Sequence, residues 1–291
     1  MTRLITSLAD IQGRYDALYV DLWGCLHNGV RPFPDAVKAL QQYRRGGGIV
    51  VLLTNAPRPR GSVTAQLDTI GVPTDAYDAV TSSGDASQAG MLAGLAGKNV
   101  YHLGPEKDHS FFDDLDPELG PGDIRKVPLE QAEGIICTGL FDDLSETPED
   151  YRATLLYAKQ KGLVMLCTNP DLQVDYGENR IYCAGAVAAL YTEMGGQSLY
   201  FGKPHPPIYD LARNRVAGMR PVSDDRVLCI GDGIRTDVLG GLNEGFDTLF
   251  ITGGLAAGEF GDDPDAPDEN MMARYFEREQ ISPTMAISRL R

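Results

Sequence analysis

Ala17-Leu18-Tyr19-Val20-Asp21-Leu22-Trp23-Gly24-Cys25-Leu26 is the stretch that decides the fold. An apolar run leads straight into a carboxylate, and a glycine follows soon after to permit a sharp turn. Short continuous apolar runs suit strands covered on both faces. Open α/β sheets keep their ligand chemistry at the carboxyl ends of such strands. Asp21 is therefore expected at the mouth of a parallel sheet.

The device recurs along the chain. Further apolar runs are Ile49–Leu53, Asn99–Leu103, Gly134–Cys137, Leu163–Cys167, Leu199–Phe201, Val227–Ile230 and Thr248–Ile251. Helical spacing lies between them at Pro34–Arg45, Pro148–Lys161, Pro206–Val216 and Thr236–Asn243. This alternation predicts right-handed βαβ units and an α/β protein built on parallel sheets. Two stretches read alike, each as helix, glycine, strand and Thr-Asn: one ends at Thr54-Asn55, the other at Thr168-Asn169. They suggest two α/β layers, each with its own sheet. Glu259–Asn270 is acidic and rich in Pro and Asp, as expected of a solvated loop. Met271–Gln280 is expected to be helical, and Ser282-Pro283 to open a short last helix.

With 291 residues, 43% hydrophobic and 23% charged, the chain can bury a large core. Its formal charge of −15 argues against nucleic acid and membrane surfaces as partners, but a local cation can still hold a small phosphorylated ligand. The five cysteines are scattered and form no C-x-x-C pair, which points to a reducing, cytoplasmic setting rather than a disulfide or zinc framework. No signal core or membrane-length apolar run is visible. Oligomeric state is left open.

Four pieces carry chemistry: Asp21 with its turn, Thr54-Asn55, Gly202-Lys203-Pro204, and Gly231-Asp232-Gly233 with Asp237 close behind. Each follows an apolar run. Asp21 and Asp232 offer hard oxygens suited to Mg²⁺, which keeps several waters and favours carboxylates. The Thr54 hydroxyl and nearby N–H groups suit anionic oxygens. Lys203 supplies positive charge, and Asp237 can orient that lysine or hydrogen-bond the metal's waters. Such a set suits phosphoryl transfer to an aspartate nucleophile.

Asp-X-X-Gly-X-Leu, Thr-Asn, Gly-Lys-Pro and Gly-Asp-X-X-X-X-Asp, in this order, resemble the haloacid dehalogenase (HAD) superfamily. The resemblance is closest to its class IIA phosphatases of sugar phosphates, p-nitrophenyl phosphate and pyridoxal phosphate. It implies a Rossmann-like core (residues 1–82 and 201–291) interrupted by an α/β cap domain (83–200). It also implies Asp21 as nucleophile, and Mg²⁺ held by Asp21, the Trp23 backbone carbonyl and Asp232, with Asp237 in support. Thr54, Asn55 and Lys203 would contact the phosphoryl group. Thr168-Asn169, continued as Pro170-Asp171, would be the cap loop facing a small phosphorylated metabolite.

One position departs from that pattern. Phosphatases of the superfamily carry a second Asp two residues after the nucleophile, where this chain has Trp23, its only tryptophan. A positioned acid or base is worth about 10²–10⁴-fold in rate. Three outcomes follow: a leaving group that needs no proton, a substitute such as His27 or a cap residue, or cleavage of a different bond. A phospho-ligand-binding protein with weakened catalysis is the alternative from another class.

Several residues are read as structural. His27 is taken as structural rather than catalytic, and His102, His109 and His205 show no metal-ligand spacing. Cys25 is assigned to packing, and Arg58, Arg60 and Arg235 to solvent. No G-x-G-x-x-G follows a strand, which disfavours a dinucleotide enzyme.

Overall fold

A computed structural model describes residues 2–116, 119, 122–176 and 179–291. Among these residues the strands in chain order are β1 (Arg3–Leu4), β2 (Ala17–Val20), β3 (Ile49–Thr54), β4 (Ala79–Ser82), β5 (Asn99–Leu103), β6 (Arg125–Lys126) and β7 (Gly134–Cys137). They continue with β8 (Val164–Cys167), β9 (Gln173–Tyr176), β10 (Asn179–Tyr182), β11 (Gln197–Tyr200), β12 (Val227–Gly231), β13 (Asp247–Ile251) and β14 (Met285–Ile287). The helices used below are α1 (Pro34–Arg45), α2 (Ser83–Leu92), α3 (Ala184–Glu193) and α4 (Glu269–Glu279). By its contacts the chain forms two compact units. The first holds residues up to Thr54, Ala65–Thr81 and Tyr209–Arg291; the second holds Asn55–Thr64 and Ser82–Ile208.

The first unit is built on a seven-stranded sheet of order β1-β14-β13-β12-β2-β3-β4. The chain moves from β2 outward through β3 and β4, then returns to lay β12 on the other flank of β2. The direction of winding therefore reverses between β2 and β12, the place where such sheets open a crevice. These two strands are parallel, with Val20 opposite Ile230. The residues that follow, Asp21 and Gly231-Asp232, leave the sheet side by side. Ala17, Leu18, Val20, Val50, Val51 and Leu52 are fully buried, which explains the unbroken apolar runs. α1 starts at Pro34, which needs no N–H partner, and ends at Gly46 with Arg44 and Arg45 in its last turn.

The second unit carries a parallel sheet of order β11-β8-β7-β5-β6 and an antiparallel β9–β10 hairpin. Leu103, Cys137, Cys167 and Tyr200 lie in register at the carboxyl ends of β5, β7, β8 and β11. Ile135, Leu155, Met165, Val187 and Tyr191 form its core, each at 0% exposure. A fully buried side chain of this kind contributes about 1.5–3 kcal/mol.

One sequence expectation for the tail is corrected. Residues 285–287 form strand β14, not a helix, because they extend the sheet between β13 and β1. The acidic stretch 259–270 is mostly exposed, as expected of a solvated loop, with one buried residue. Phe260 is buried against Phe250 and Tyr275, the Asp268 N–H donates to the Phe260 carbonyl, and Asp268 caps α4. One aromatic side chain, invisible in the local charge, anchors the loop. No helix among the described residues is long and apolar enough to cross a membrane.

Candidate active site

In the first unit the loop after β2 closes tightly on itself. Gly24 takes φ +72°, and its N–H donates to the His27 carbonyl; the Leu26 and His27 N–H groups both donate to the Leu22 carbonyl. This left-handed residue lets the chain turn back directly after Asp21. Asp21 is itself buried at 8% exposure, and its N–H donates to the Ile230 carbonyl of β12.

Asp232 is set from the other strand. Its Oδ2 accepts the Leu255 N–H at 2.8 Å. A Cβ on either Gly24 or Gly254 would overlap its carboxylate, so two glycines form a close-fitting cradle. Ligand atoms of Asp21, Asp232 and Cys25 all lie within 4.8 Å of one another. The two carboxylates suit a hard divalent cation, whereas the Cys25 sulfur is a soft donor that such ions rarely recruit. Asp237 is buried and folds back on its own turn. Its Oδ2 accepts the Gly233 N–H at 3.1 Å, and a Cβ on Gly231 would strike it.

Trp23 is half-buried, and its indole packs over Gly29, where a Cβ would collide with the ring. The His27 ring meets the indole edge-on at 5.3 Å. His27 is buried, and its Nδ1 accepts the Gly29 N–H at 3.0 Å. Burial pushes its pKa down to about 4. A neutral imidazole engaged in this way braces the loop and the indole, and it is poorly matched to proton transfer near neutral pH.

The second unit gathers another group. Asn55 follows β3 and is buried at 3% exposure; Lys203 is buried at 2%. The Asn55 Oδ1 accepts the Lys203 N–H at 2.7 Å, and its Nδ2 donates to the Lys203 carbonyl at 3.1 Å and to Asp171 Oδ1 at 2.8 Å. Both N–H bonds of this amide are thus engaged, which leaves its side chain no donor for an anion. Gly202 permits the crossing. A Cβ there would lie 2.5 Å from Asn55 Oδ1, 2.6 Å from Ser83 Oγ and 2.7 Å from Pro170 Cδ.

The loop after β8 differs from the sequence expectation. Thr168 has 0% exposure and donates its hydroxyl to the Cys137 carbonyl, which ties β8 to β7 rather than facing a ligand. Asn169 is also buried, and its Oδ1 accepts the Asp171 N–H at 3.0 Å. These two residues build the turn, and Asp171 is the side chain that reaches Asn55. Asp171 was legible only as the last residue of a Thr-Asn-Pro-Asp run, with nothing local to mark its long-range partner. Arg60 and Arg235 pair with Asp116 and Glu279, and Arg58 lies 4.0 Å from Asp108. His102 bonds Thr138, and His205 stacks on Tyr200.

Comparison with known proteins matches the architecture. A haloacid dehalogenase-like hydrolase profile covers residues 18–118, and a HAD-hydrolase-like profile covers 200–273. A haloacid dehalogenase-like hydrolase from Brucella suis 1330 is 39% identical, with TM-score 0.85 over 99% of this chain and 100% of that one. The ribonucleotide monophosphatase NagD of Escherichia coli K12 is 27% identical over 81% of this chain and 87% of its own. Human glycerol-3-phosphate phosphatase is 26% identical over 86% of this chain and 81% of its own. With its carboxylate pair at the sheet's switch point and this likeness along its whole length, the chain belongs to the haloacid dehalogenase-like hydrolase family.

Proposed function

We propose that this hydrolase is a phosphatase of small phosphorylated metabolites, with Asp21 as nucleophile. The observation that carries the reading is the pair Asp21 and Asp232, leaving adjacent strands with ligand atoms within 4.8 Å. The relatives named as ribonucleotide monophosphatase and glycerol-3-phosphate phosphatase support a small phosphate ester as substrate. The buried cysteines support a reducing, cytoplasmic location.

Asp21, Asp232 and the Trp23 carbonyl are the groups we assign to Mg²⁺, with Asp237 buttressing the turn that carries Asp232. When bound, Mg²⁺ supplies positive charge against the carboxylates and the phosphoryl oxygens. An Asp21 oxygen attacks phosphorus while the bond to the leaving oxygen breaks and its electron pair departs with the leaving group. Water then attacks the aspartyl-phosphate, and its protons pass to solvent as phosphate leaves and the Asp21 carboxylate returns. The Thr54 hydroxyl and Lys203 are assigned to the phosphoryl oxygens, on the order of their motifs. Asn55 acts on Lys203 through its backbone rather than on the anion through its amide.

Trp23 shapes the substrate range. Its indole exchanges no proton, and the buried His27 beside it does not replace the missing acid. Leaving groups that depart as stable anions, such as aryl or acyl phosphates, are therefore favoured over alkyl phosphates. The same feature favours the second reading, a protein that binds phosphorylated ligands and turns them over weakly. A Mg²⁺-supplemented panel of aryl, acyl and alkyl phosphates, run beside Asp21→Asn and Lys203→Ala, tests both. Turnover that disappears in Asp21→Asn supports the enzyme; Mg²⁺-dependent phosphate binding without turnover on any substrate supports the binder.

A further inference from the structure

We propose that Asp171 is a positioning residue for Lys203, acting through the Asn55 amide; the proposal rests on the assignment of Lys203 to the phosphoryl group. The strands that deliver these residues make the arrangement possible. β8 and β11 are parallel neighbours with Cys167 opposite Tyr200, so Thr168–Asp171 and Phe201–Lys203 leave one sheet edge together. Asn55 lies between them.

The hydrogen bonds form a connected set. The Asp171 N–H is held by Asn169 Oδ1, which fixes the backbone of the turn. The Asp171 carboxylate accepts one Asn55 N–H at 2.8 Å. The other faces of the amide grip Lys203 on both sides of its Cα, from N–H to Oδ1 and from Nδ2 to the carbonyl. An amide can be rotated by half a turn with little cost unless its neighbours tell oxygen from nitrogen. Here the Lys203 N–H and carbonyl select one orientation, and the Asp171 carboxylate, an acceptor only, reinforces it by holding Nδ2 on its side. Bonds to a charged group are also stronger than neutral ones, so this contact anchors the rest.

The loop itself has little freedom to yield. At the start of α3, a Cβ on Gly185 would overlap the carbonyls of Pro170 and Asp171, so the loop sits directly on the helix backbone. The Cys183 N–H donates to the Leu172 carbonyl at 3.0 Å. Close packing at Gly202 transmits any shift of Asn55 or Pro170 to the residue before Lys203. A charge that acts on a reacting group must be held to a fraction of an ångström, and a displacement of about 1 Å can cost about 10²-fold in rate.

The test compares Asp171→Ala, Asp171→Asn, Asn55→Ala and the Asp171→Ala/Asn55→Ala double variant in the full chain. Turnover is read with Mg²⁺ and 4-nitrophenyl phosphate, and amide hydrogen exchange at Lys203 is read separately, with no dependence on activity. Asp171→Ala is expected to lower kcat about 10- to 100-fold with KM changed by less than about threefold, and to speed Lys203 exchange by about tenfold. Asp171→Asn retains an acceptor oxygen but loses the charge, and is expected to fall between the parent and Asp171→Ala in both readouts. In the Asn55→Ala background, Asp171→Ala should add less than about threefold, because its route to Lys203 is already gone. Unchanged exchange, unchanged kcat, loss of rescue by Asp171→Asn, or effects that simply multiply would each overturn the proposal. Lys203→Ala separates the two levels. If it leaves turnover intact, the assignment of Lys203 fails and takes this role with it; if it abolishes turnover while Asp171→Ala does not, only the positioning role is lost.

Discussion

The Asp232 carboxylate lies so close to the Cα of Gly24 that a methyl group there would overlap Oδ2. The same glycine holds φ +72°, a conformation that costs other residues about 1–2 kcal/mol. Gly24→Ala is therefore expected to lower stability by at least that amount and to push Asp232 away from Asp21. Gly254→Ala crowds the same carboxylate without a left-handed backbone. Both variants should raise the Mg²⁺ concentration needed for activity and cut kcat by about 10²-fold. Denaturant melts and Mg²⁺ titrations check this, and full activity in both would mean the cradle does not set the carboxylate.

Trp23→Asp asks what the indole has replaced. In the parent protein, rates on a series of phosphate esters should fall steeply as the leaving group becomes more basic. An aspartate at this position can donate the proton, so the variant should flatten that slope and gain up to about 10²–10⁴-fold on alkyl phosphates. Losing the contact with Gly29 and His27 should cost about 1–3 kcal/mol of stability, which a melt at matched pH records. A slope already shallow in the parent would show that another group supplies the proton, and a steep slope unchanged in the variant would show that a carboxylate at this position does not reach the leaving group.

How far these features could be read from sequence depends on range. Asp21 and Asp232 were visible because a buried strand must be apolar and the residue ending it need not be. Their adjacency follows from β12 returning beside β2, which the βαβ pattern favours. Thr168 and Asp171 show the limit. A Thr-Asn after a strand suggested a ligand-facing pair, but Thr168 bonds a neighbouring strand and Asn169 bonds its own turn. Which of several polar residues in a turn faces outward is decided by packing on α3, and no local pattern encodes that. Likewise Met285–Ile287 is too short to show a period, and it becomes a strand only because β13 offers an open edge.

Cys25 gives the carboxylate pair a soft neighbour. Its sulfur belongs to the same 4.8 Å group as Asp21 and Asp232, a poor donor for Mg²⁺ and a good one for Zn²⁺. Zn²⁺ is expected to inhibit Mg²⁺-supported turnover, and Cys25→Ser to weaken that inhibition about tenfold while sparing turnover with Mg²⁺ alone. Competition curves at several Mg²⁺ concentrations provide the measurement. Equal Zn²⁺ sensitivity in parent and variant would show that the sulfur plays no part.

Asp108 is expected to make the protein's stability pH-dependent. It is buried at 3% exposure in the second unit, and desolvation raises its pKa to about 6 from an ordinary 3.8. Arg58, Lys107 and a hydroxyl bond from Thr138 oppose that rise, while the Asp143 charge adds to it. The folded chain therefore keeps this proton between about pH 4 and 6, where the unfolded chain has released it. Stability is lost as pH rises through that window, and the penalty persists above it. Two units correspond to about 3 kcal/mol at most. Asp108→Asn keeps an acceptor for Thr138 but cannot ionise. Relative to the parent, the variant should gain about 1–3 kcal/mol between about pH 3.5 and 7.5. Taking the difference cancels the acid sensitivity of the other carboxylates. Urea unfolding at both pH values decides it: a constant difference, or one that shrinks as pH rises, would mean that folding does not raise the Asp108 pKa.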